Sequence, residues 1–215
     1  MVINKITLTG ADEDVSYDYM QDLYKRFPMI EFGILLSENS GSKPRYPSTQ
    51  WIENLPDNLP LSLHVCGFDF PSYKEDTSNK FKRVQINENL SVADESDVKS
   101  FLNIINKYSQ HKFIFQYNEN NKKFLESLSE KTKDFHILYD SSLGRGSFIG
   151  EILPPPFHDI YTGYAGGINP DNILDIVKQI IKIDVGVAVY LDVESGIRTD
   201  NKWDHDKVEK ILKYV

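Results

Sequence analysis

The chain holds one cysteine, Cys66, so no intramolecular disulfide can form and no thiolate metal cluster can be built. That usage suits a reducing cytosol. Histidine is also sparse, and no His-x-His or His-x-x-x-His pair occurs, so no metal site is expected. No strand candidate ends in lysine, which speaks against Schiff-base chemistry. Basic residues are outnumbered, 24 Lys and Arg against 32 Asp and Glu, for a net charge of −8. That balance argues against a nucleic-acid partner, which needs a basic face. A small anion can still be held by a helix N-terminus and a few cations. No run approaches the roughly 18 apolar residues of a membrane span. The start, Met1–Ile6, has no apolar h-region and reads as a strand. A cytoplasmic chain with no membrane partner is therefore expected.

What is present is a regular alternation. Short runs rich in Ile, Val, Phe and Tyr lie at Lys5–Thr9, Glu31–Leu36, Leu61–Cys66, Arg83–Asn87, Lys112–Gln116, His136–Asp140, Asp159–Tyr164 and Gly186–Asp192. Each is bounded by Gly, Pro, Asn or Asp and has strand length. Helical patterns fall at Ser16–Phe27, Asp94–Tyr108, Asn120–Lys131, Pro170–Ile181 and Asp204–Tyr214. In the fourth, Ile173, Ile176, Val177, Ile180 and Ile181 form one apolar stripe, and Asn169-Pro170 reads as an N-cap followed by proline. Three consecutive prolines within Glu151–His158 predict a short or missing sixth crossover helix. Strands alternating with helices pair in parallel through right-handed crossovers. Even spacing over 215 residues, with no linker or second domain, favours a closed (β/α)8 barrel (residues 1–215) over an open doubly wound sheet.

In such a barrel the chemistry sits on the loops at the strand C-termini. That rule selects Thr7, Thr9, His64, Cys66, Asn87, Glu88, Asp140, Asp192 and Glu194, and discounts Lys5 and His136, which begin their strands. The turn Tyr164-Ala165-Gly166-Gly167-Ile168-Asn169-Pro170 can bring backbone N–H groups against an anion, or can simply be a tight turn. A second small turn follows strand eight, Asp192-Val193-Glu194-Ser195-Gly196-Ile197-Arg198. Together the two occupy the place where barrels often bind phosphate. The candidate phosphate residues are Gly166, Gly167, Ser195 and Gly196. Asp140 can serve as a general acid or base if burial raises its pKa, or can be a turn aspartate. His64 and Cys66 share a strand face, so the thiol is either an activated nucleophile or packed core.

These motifs resemble the phosphoribosylanthranilate isomerase family. Ala165-Gly166-Gly167-Ile168-Asn169-Pro170-Asp171-Asn172-Ile173 is similar to that family's AGG-hydrophobic-x-P-x-N-V stretch, and Asp192-Val193-Glu194-Ser195-Gly196-Ile197 to its DVSSGVE. Asp140 with Gly144, Gly146 and Ser147 resembles the aspartate and glycine-rich loop after strand six. Ser42-Lys43-Pro44-Arg45-Tyr46 resembles its SPR segment, and Val84-Gln85-Ile86-Asn87 its VQLH. The resemblance spans five of the eight units in the right order. It implies a tryptophan-biosynthesis-like isomerase on a phosphate-binding barrel, needing no cofactor and acting on a small phosphorylated sugar derivative. Arg45, Asn87 and Asp192 would bind substrate, with Arg45 facing a carboxylate. Asp140 would protonate the ring oxygen of a phosphoribosyl amine in an Amadori rearrangement.

Departures from the family are equally specific. The family's strand-one cysteine base is replaced by threonine, Thr9 or Thr7 according to which end of the strand anchors the alignment, and threonine is a far poorer base. Asn87 stands for a histidine. Glu194 stands for a serine, with Arg145 a possible counter-charge. Cys66, assisted by His64, is one replacement for the lost base. A different sugar-phosphate isomerase or epimerase using Asp140 with Asp192 or Glu194, and a non-catalytic phosphate-binding barrel, stay open.

Overall fold

The computed structural model describes residues 2–37, 40–67, 80–90, 94–140, 150–183 and 186–214. Eight parallel strands close into a barrel in sequence order: β1 Ile3–Thr9, β2 Ile30–Leu36, β3 Leu61–Cys66, β4 Arg83–Asn87, β5 Lys112–Tyr117, β6 His136–Asp140, β7 Thr162–Ala165 and β8 Val189–Val193. Closure is made by β1 against β8, with Thr7 opposite Asp192 and Leu8 opposite Val193. The last two strands start later than their apolar runs predict. Asp159–Tyr161 and Gly186–Ala188 are approach segments, because pairing begins only where Thr162 meets Ile137 and Val189.

Among the described residues six α-helices pack outside: α1 Tyr17–Arg26, α2 Thr49–Glu53, α3 Glu95–Lys107, α4 Lys122–Lys131, α5 Ile173–Lys182 and α6 His205–Leu212. Their starts follow capping chemistry. Ser16 accepts from Tyr19 N–H before α1, Asp94 and Asp97 form a reciprocal capping box on α3, and Asp204 accepts from Lys207 N–H before α6. The five-residue α2 has no apolar stripe to betray it. The sixth crossover forms no helix over residues 150–161, as the prolines predict. After β8 the chain makes a two-residue hairpin, β9 Arg198–Thr199 with β10 Lys202–Trp203. Its turn residues Asp200 and Asn201 both have positive φ, 51° and 62°, the geometry that matches strand twist.

Strand residues alternate between two very different environments. Ile6, Leu8, Phe32, Ile34, Leu61, Leu63, Val84, Ile86, Phe113, Phe115, Leu191 and Val193 point outward into one continuous core with the helices. The other set fills the barrel and is largely polar: Thr7, Thr9, Glu31, Ser62, His64, Arg83, Gln85 and Asp192 are all buried. A smaller apolar cluster of Ile114, Leu138 and Tyr190 completes this interior. Near the strand N-termini Glu31 accepts hydrogen bonds from Thr7 (3.1 Å) and Arg83 (2.8 Å), with Lys5 at 3.6 Å. The Arg83 guanidinium lies 4.0 Å from the centre of the Tyr190 ring. Tyr190 in turn fills the space at Gly163, where a Cβ would fall 2.2 Å from its ring. Among the described residues no helix is long and apolar enough to cross a membrane.

Candidate active site at the barrel mouth

The eight barrel strands are parallel, so their last residues gather at one end. Thr9, Cys66, Asn87, Asp140 and Ala165 each terminate a strand there, with Asp192 one residue from the end of β8. Asp140 lies on the same alternation as the inward-facing Leu138 and is buried. At the seam, Thr9 Oγ1 donates a 2.6 Å hydrogen bond to Asp192 Oδ1. The other carboxylate oxygen faces His64 Nδ1 at 4.0 Å. Gly33 completes the layer. A Cβ there would fall 2.3 Å from Thr9 Oγ1 and 3.1 Å from His64 Nε2, so only glycine lets these two side chains approach. A glycine inside a strand signals such a close approach, and it is the signal in the sequence that sequence reasoning passed over.

Burial sets the charges of this layer. Desolvation raises Asp192 to about 7, the field of Glu194 adding to it and the Thr9 hydroxyl opposing it. Desolvation, with the nearby positive Arg83, drops His64 to about 3. His64 is thus neutral, and its approach to Asp192 is not an ion pair. Cys66 and His64 do share a face, but they do not form a thiolate–imidazole pair. The thiol approaches the His64 carbonyl oxygen at 3.7 Å and accepts from Asn87 Nδ2 at 3.1 Å. Burial pushes the Cys66 thiol up, so it stays protonated near neutrality. Asn87 is fixed from its other side by Gln85 Nε2 at 2.8 Å.

Among the described residues of the rim, two arginines are held on carboxylates. Arg45 has φ 75°, its backbone N–H on Asp12 and its guanidinium on Glu194 at 2.8 Å and Asn201 at 3.0 Å. Arg198 is buried against Asp12 at 2.8 Å and the Gly10 carbonyl at 2.6 Å. This Asp12–Arg198 pair ties the loop after β1 to the hairpin after β8, and no spacing in the sequence announces it. Glu194 therefore meets its counter-charge in Arg45. Arg145, Gly144, Gly146 and Ser147 lie outside the described residues.

The two glycine turns lie side by side. Gly166 and Gly167 adopt φ 100° and 66°, which side chains resist. Gly167 O accepts from the amides of Asn169 and Asn172, both at 2.9 Å. Asn172 Oδ1 accepts from Asn169 N–H and Asn169 Oδ1 from Asp171 N–H. These bonds make Asn169–Asp171 a turn, so α5 starts at Ile173 and not at Pro170. Gly196 packs so tightly on this turn that a Cβ would sit 1.8 Å from Ile168 O. A cavity of about 400 Å³ between the turns is lined by Gly167, Asn169, Ser195, Gly196, Lys207 and Lys210. Three of the four residues assigned to phosphate from sequence line it. The two lysines come from α6, whose contribution the sequence reading did not foresee. Among the described residues no group of three or more His, Cys, Asp or Glu is placed to hold a metal.

Known proteins share this architecture. The monomer form of the dimeric phosphoribosylanthranilate isomerase from Thermotoga maritima superposes with a TM-score of 0.62, 18% identity and coverage of 100% of this chain and 98% of that one. The N-(5'-phosphoribosyl)anthranilate isomerase from Pyrococcus furiosus gives 0.60, 16%, 98% and 97%. At such identities the likeness bears on the fold alone. In sequence, the N-(5'-phosphoribosyl)anthranilate isomerase of Methanococcus maripaludis is 32% identical over 83 residues, 37% of this chain and 36% of that protein. That match spans about a third of the relative's length. The profile of N-(5'-phosphoribosyl)anthranilate (PRA) isomerase matches residues 93–214, more than half of the chain, and by that match the chain belongs to the PRA isomerase family.

Proposed function

We propose that the protein is an acid–base isomerase that converts a phosphorylated aldosylamine into the corresponding aminoketose by an Amadori rearrangement. The observation that carries this reading is the 2.6 Å Thr9–Asp192 bond at the closing seam, on a carboxyl raised to about 7. A base works best when its pKa lies near the operating pH. Asp192 meets that condition, whereas threonine in the position of the family's cysteine does not. Asp140, inward-facing across the mouth, is the acid. It protonates the ring oxygen, the C1–O bond breaks and a C1–N iminium forms. Asp192 Oδ2 then takes the C2 proton, and the bonding pair moves into the iminium to give an enolamine. The enol loses its O2 proton and C1 gains one, leaving the ketone. Thr9 orients Asp192 by holding Oδ1, and neutral His64 contributes no competing charge. The phosphate is assigned to the backbone N–H groups of Gly166, Gly167, Ser195 and Gly196, with Lys207 and Lys210 nearby.

The test is a spectroscopic turnover assay with two phosphoribosyl amines, that of anthranilate and that of aniline. Turnover of either, lost by at least about a thousandfold in Asp192→Asn and in Asp140→Asn, supports the assignment. Inactivity of the wild type on both, or Asp192→Asn within threefold of wild type, refutes it.

A further inference from the structure

We infer that Glu194 is a specificity-determining residue that fills the carboxylate-binding position of Arg45, so that the substrate's amine substituent is neutral and carries no carboxylate. The inference rests on the isomerase reading of the same mouth and names which amine it accepts.

Three observations carry it. First, Arg45 is committed. Its side chain packs beside Gly10 at the end of β1 and spans to Glu194 at the end of β8, 2.8 Å away, with Asn201 taking its second nitrogen at 3.0 Å. With Glu194 on one terminal nitrogen and Asn201 on the other, the Arg45 charge is already met by a carboxylate of the protein, and a ligand carboxylate would have to displace Glu194 to take its place. Second, Glu194 is turned toward the mouth and away from the phosphate turns. Its field raises Asp192, Cys66 and Tyr46, three groups on three different segments around the opening. Glu194 is absent from the lining of the cavity between the glycine turns, although its neighbours Ser195 and Gly196 form part of it. Third, Arg198, the other rim arginine among the described residues, is 5% exposed and bound to Asp12, so it is not free to replace Arg45. A ligand carboxylate entering here would meet Glu194 and Asp192, with the two described rim arginines already paired to carboxylates. Like charges at that range disfavour binding.

The chemistry that fits is an uncharged substituent on the amine nitrogen, with no carboxylate to oppose Glu194. Arg45 then acts on the substrate only through Glu194, by holding it in place.

Calorimetric titration with two stable analogues tests this. They are the borohydride-reduced ribitol 5-phosphates of aniline and of anthranilate, which differ by one carboxylate. Wild type is expected to bind the aniline form at least tenfold more tightly. Glu194→Ser frees Arg45 and is expected to strengthen binding of the anthranilate form at least tenfold, reversing the preference. Glu194→Gln, which keeps the shape and removes the charge, should shift the ratio in the same direction. Arg45→Ala added to Glu194→Ser should abolish the gain. Melting curves establish that each variant is folded. The inference is overturned if wild type prefers the anthranilate form, if Glu194→Ser leaves the ratio of the two affinities unchanged, or if neither protein binds either analogue. The readout needs no proton transfer, so a protein that shows the expected preference but turns nothing over sinks the isomerase reading and leaves the specificity assignment standing.

Discussion

Burial lifts the Asp192 carboxyl to about 7 and drops the His64 imidazole to about 3, so the two side chains change charge together when the chain folds. Unfolded at pH 5, aspartate is ionised and histidine is protonated. In the folded layer both are neutral. The proton count of the pair is nearly unchanged, and its contribution to stability is nearly flat from about pH 4 to 6.5. Substituting one partner exposes the other. For Asp192 the folded pKa is raised, so its contribution is fully present below about pH 4 and is lost as pH rises to about 7. Asp192→Asn removes that loss. The variant's stability, followed by melting, should gain on that of wild type steadily between pH 4 and 7, by a total on the order of 4 kcal/mol, and then hold a constant margin. A margin independent of pH would mean that Asp192 is already ionised at pH 5. The same ionisation should appear in kcat as a rise with an apparent pKa near 7, absent from any residual Asp192→Asn activity. Sequence placed Asp192, Thr9 and His64 at the mouth because they fall near the ends of strands. It did not reveal that they form one layer, since that depends on the stagger between β1, β3 and β8. Arg45 was legible as a mouth residue through the family resemblance and Glu194 through its place at a strand end, but nothing in the sequence paired the two.

Elements were read well where periodicity was long and capping groups were present. The capping aspartates Asp94 and Asp204 stand where the helical patterns of α3 and α6 begin. Starts were misread where side-chain amides override a strong dipeptide signal. Asn169-Pro170 has the form of a helix start, yet Asn169 and Asn172 spend their amides on the turn, and α5 begins three residues after the proline. This turn and the one after β8 act as a single unit through Gly196. Gly196→Ala would drive a methyl into the Ile168 carbonyl, a backbone atom that cannot rotate away. The expected cost is about 2 kcal/mol or more of stability. It should be accompanied by at least a tenfold loss of affinity for ribose 5-phosphate, roughly 1.4 kcal/mol, and by no comparable change for ribose. Paired melting and calorimetric measurements check this. Retention of phosphate affinity by a folded Gly196→Ala protein would place the phosphate elsewhere.

The whole barrel is built around charge. Its interior holds Glu31 and Arg83 as a buried pair, so removal of either partner strands the other. Arg83→Met alone should cost about 3–5 kcal/mol in denaturant unfolding. Glu31→Leu combined with Arg83→Met should recover much of that loss, giving a favourable coupling between the two positions. Additive losses would show that the pair is not acting as one unit. The fold class was legible because eight alternations leave few topologies. The polar filling was not, because inward-facing residues of adjacent strands meet only after closure. That closure also fixes when the protein can acquire function. The Thr9–Asp192 bond joins residues 183 positions apart, the first strand of the barrel to the last. During synthesis no emerging portion of the chain short of β8 contains this pair, and a chain that pairs seven strands correctly still has none. If the proposed isomerase reading holds, turnover would report completed circular closure, because the pair it needs exists only once the final strand is in place.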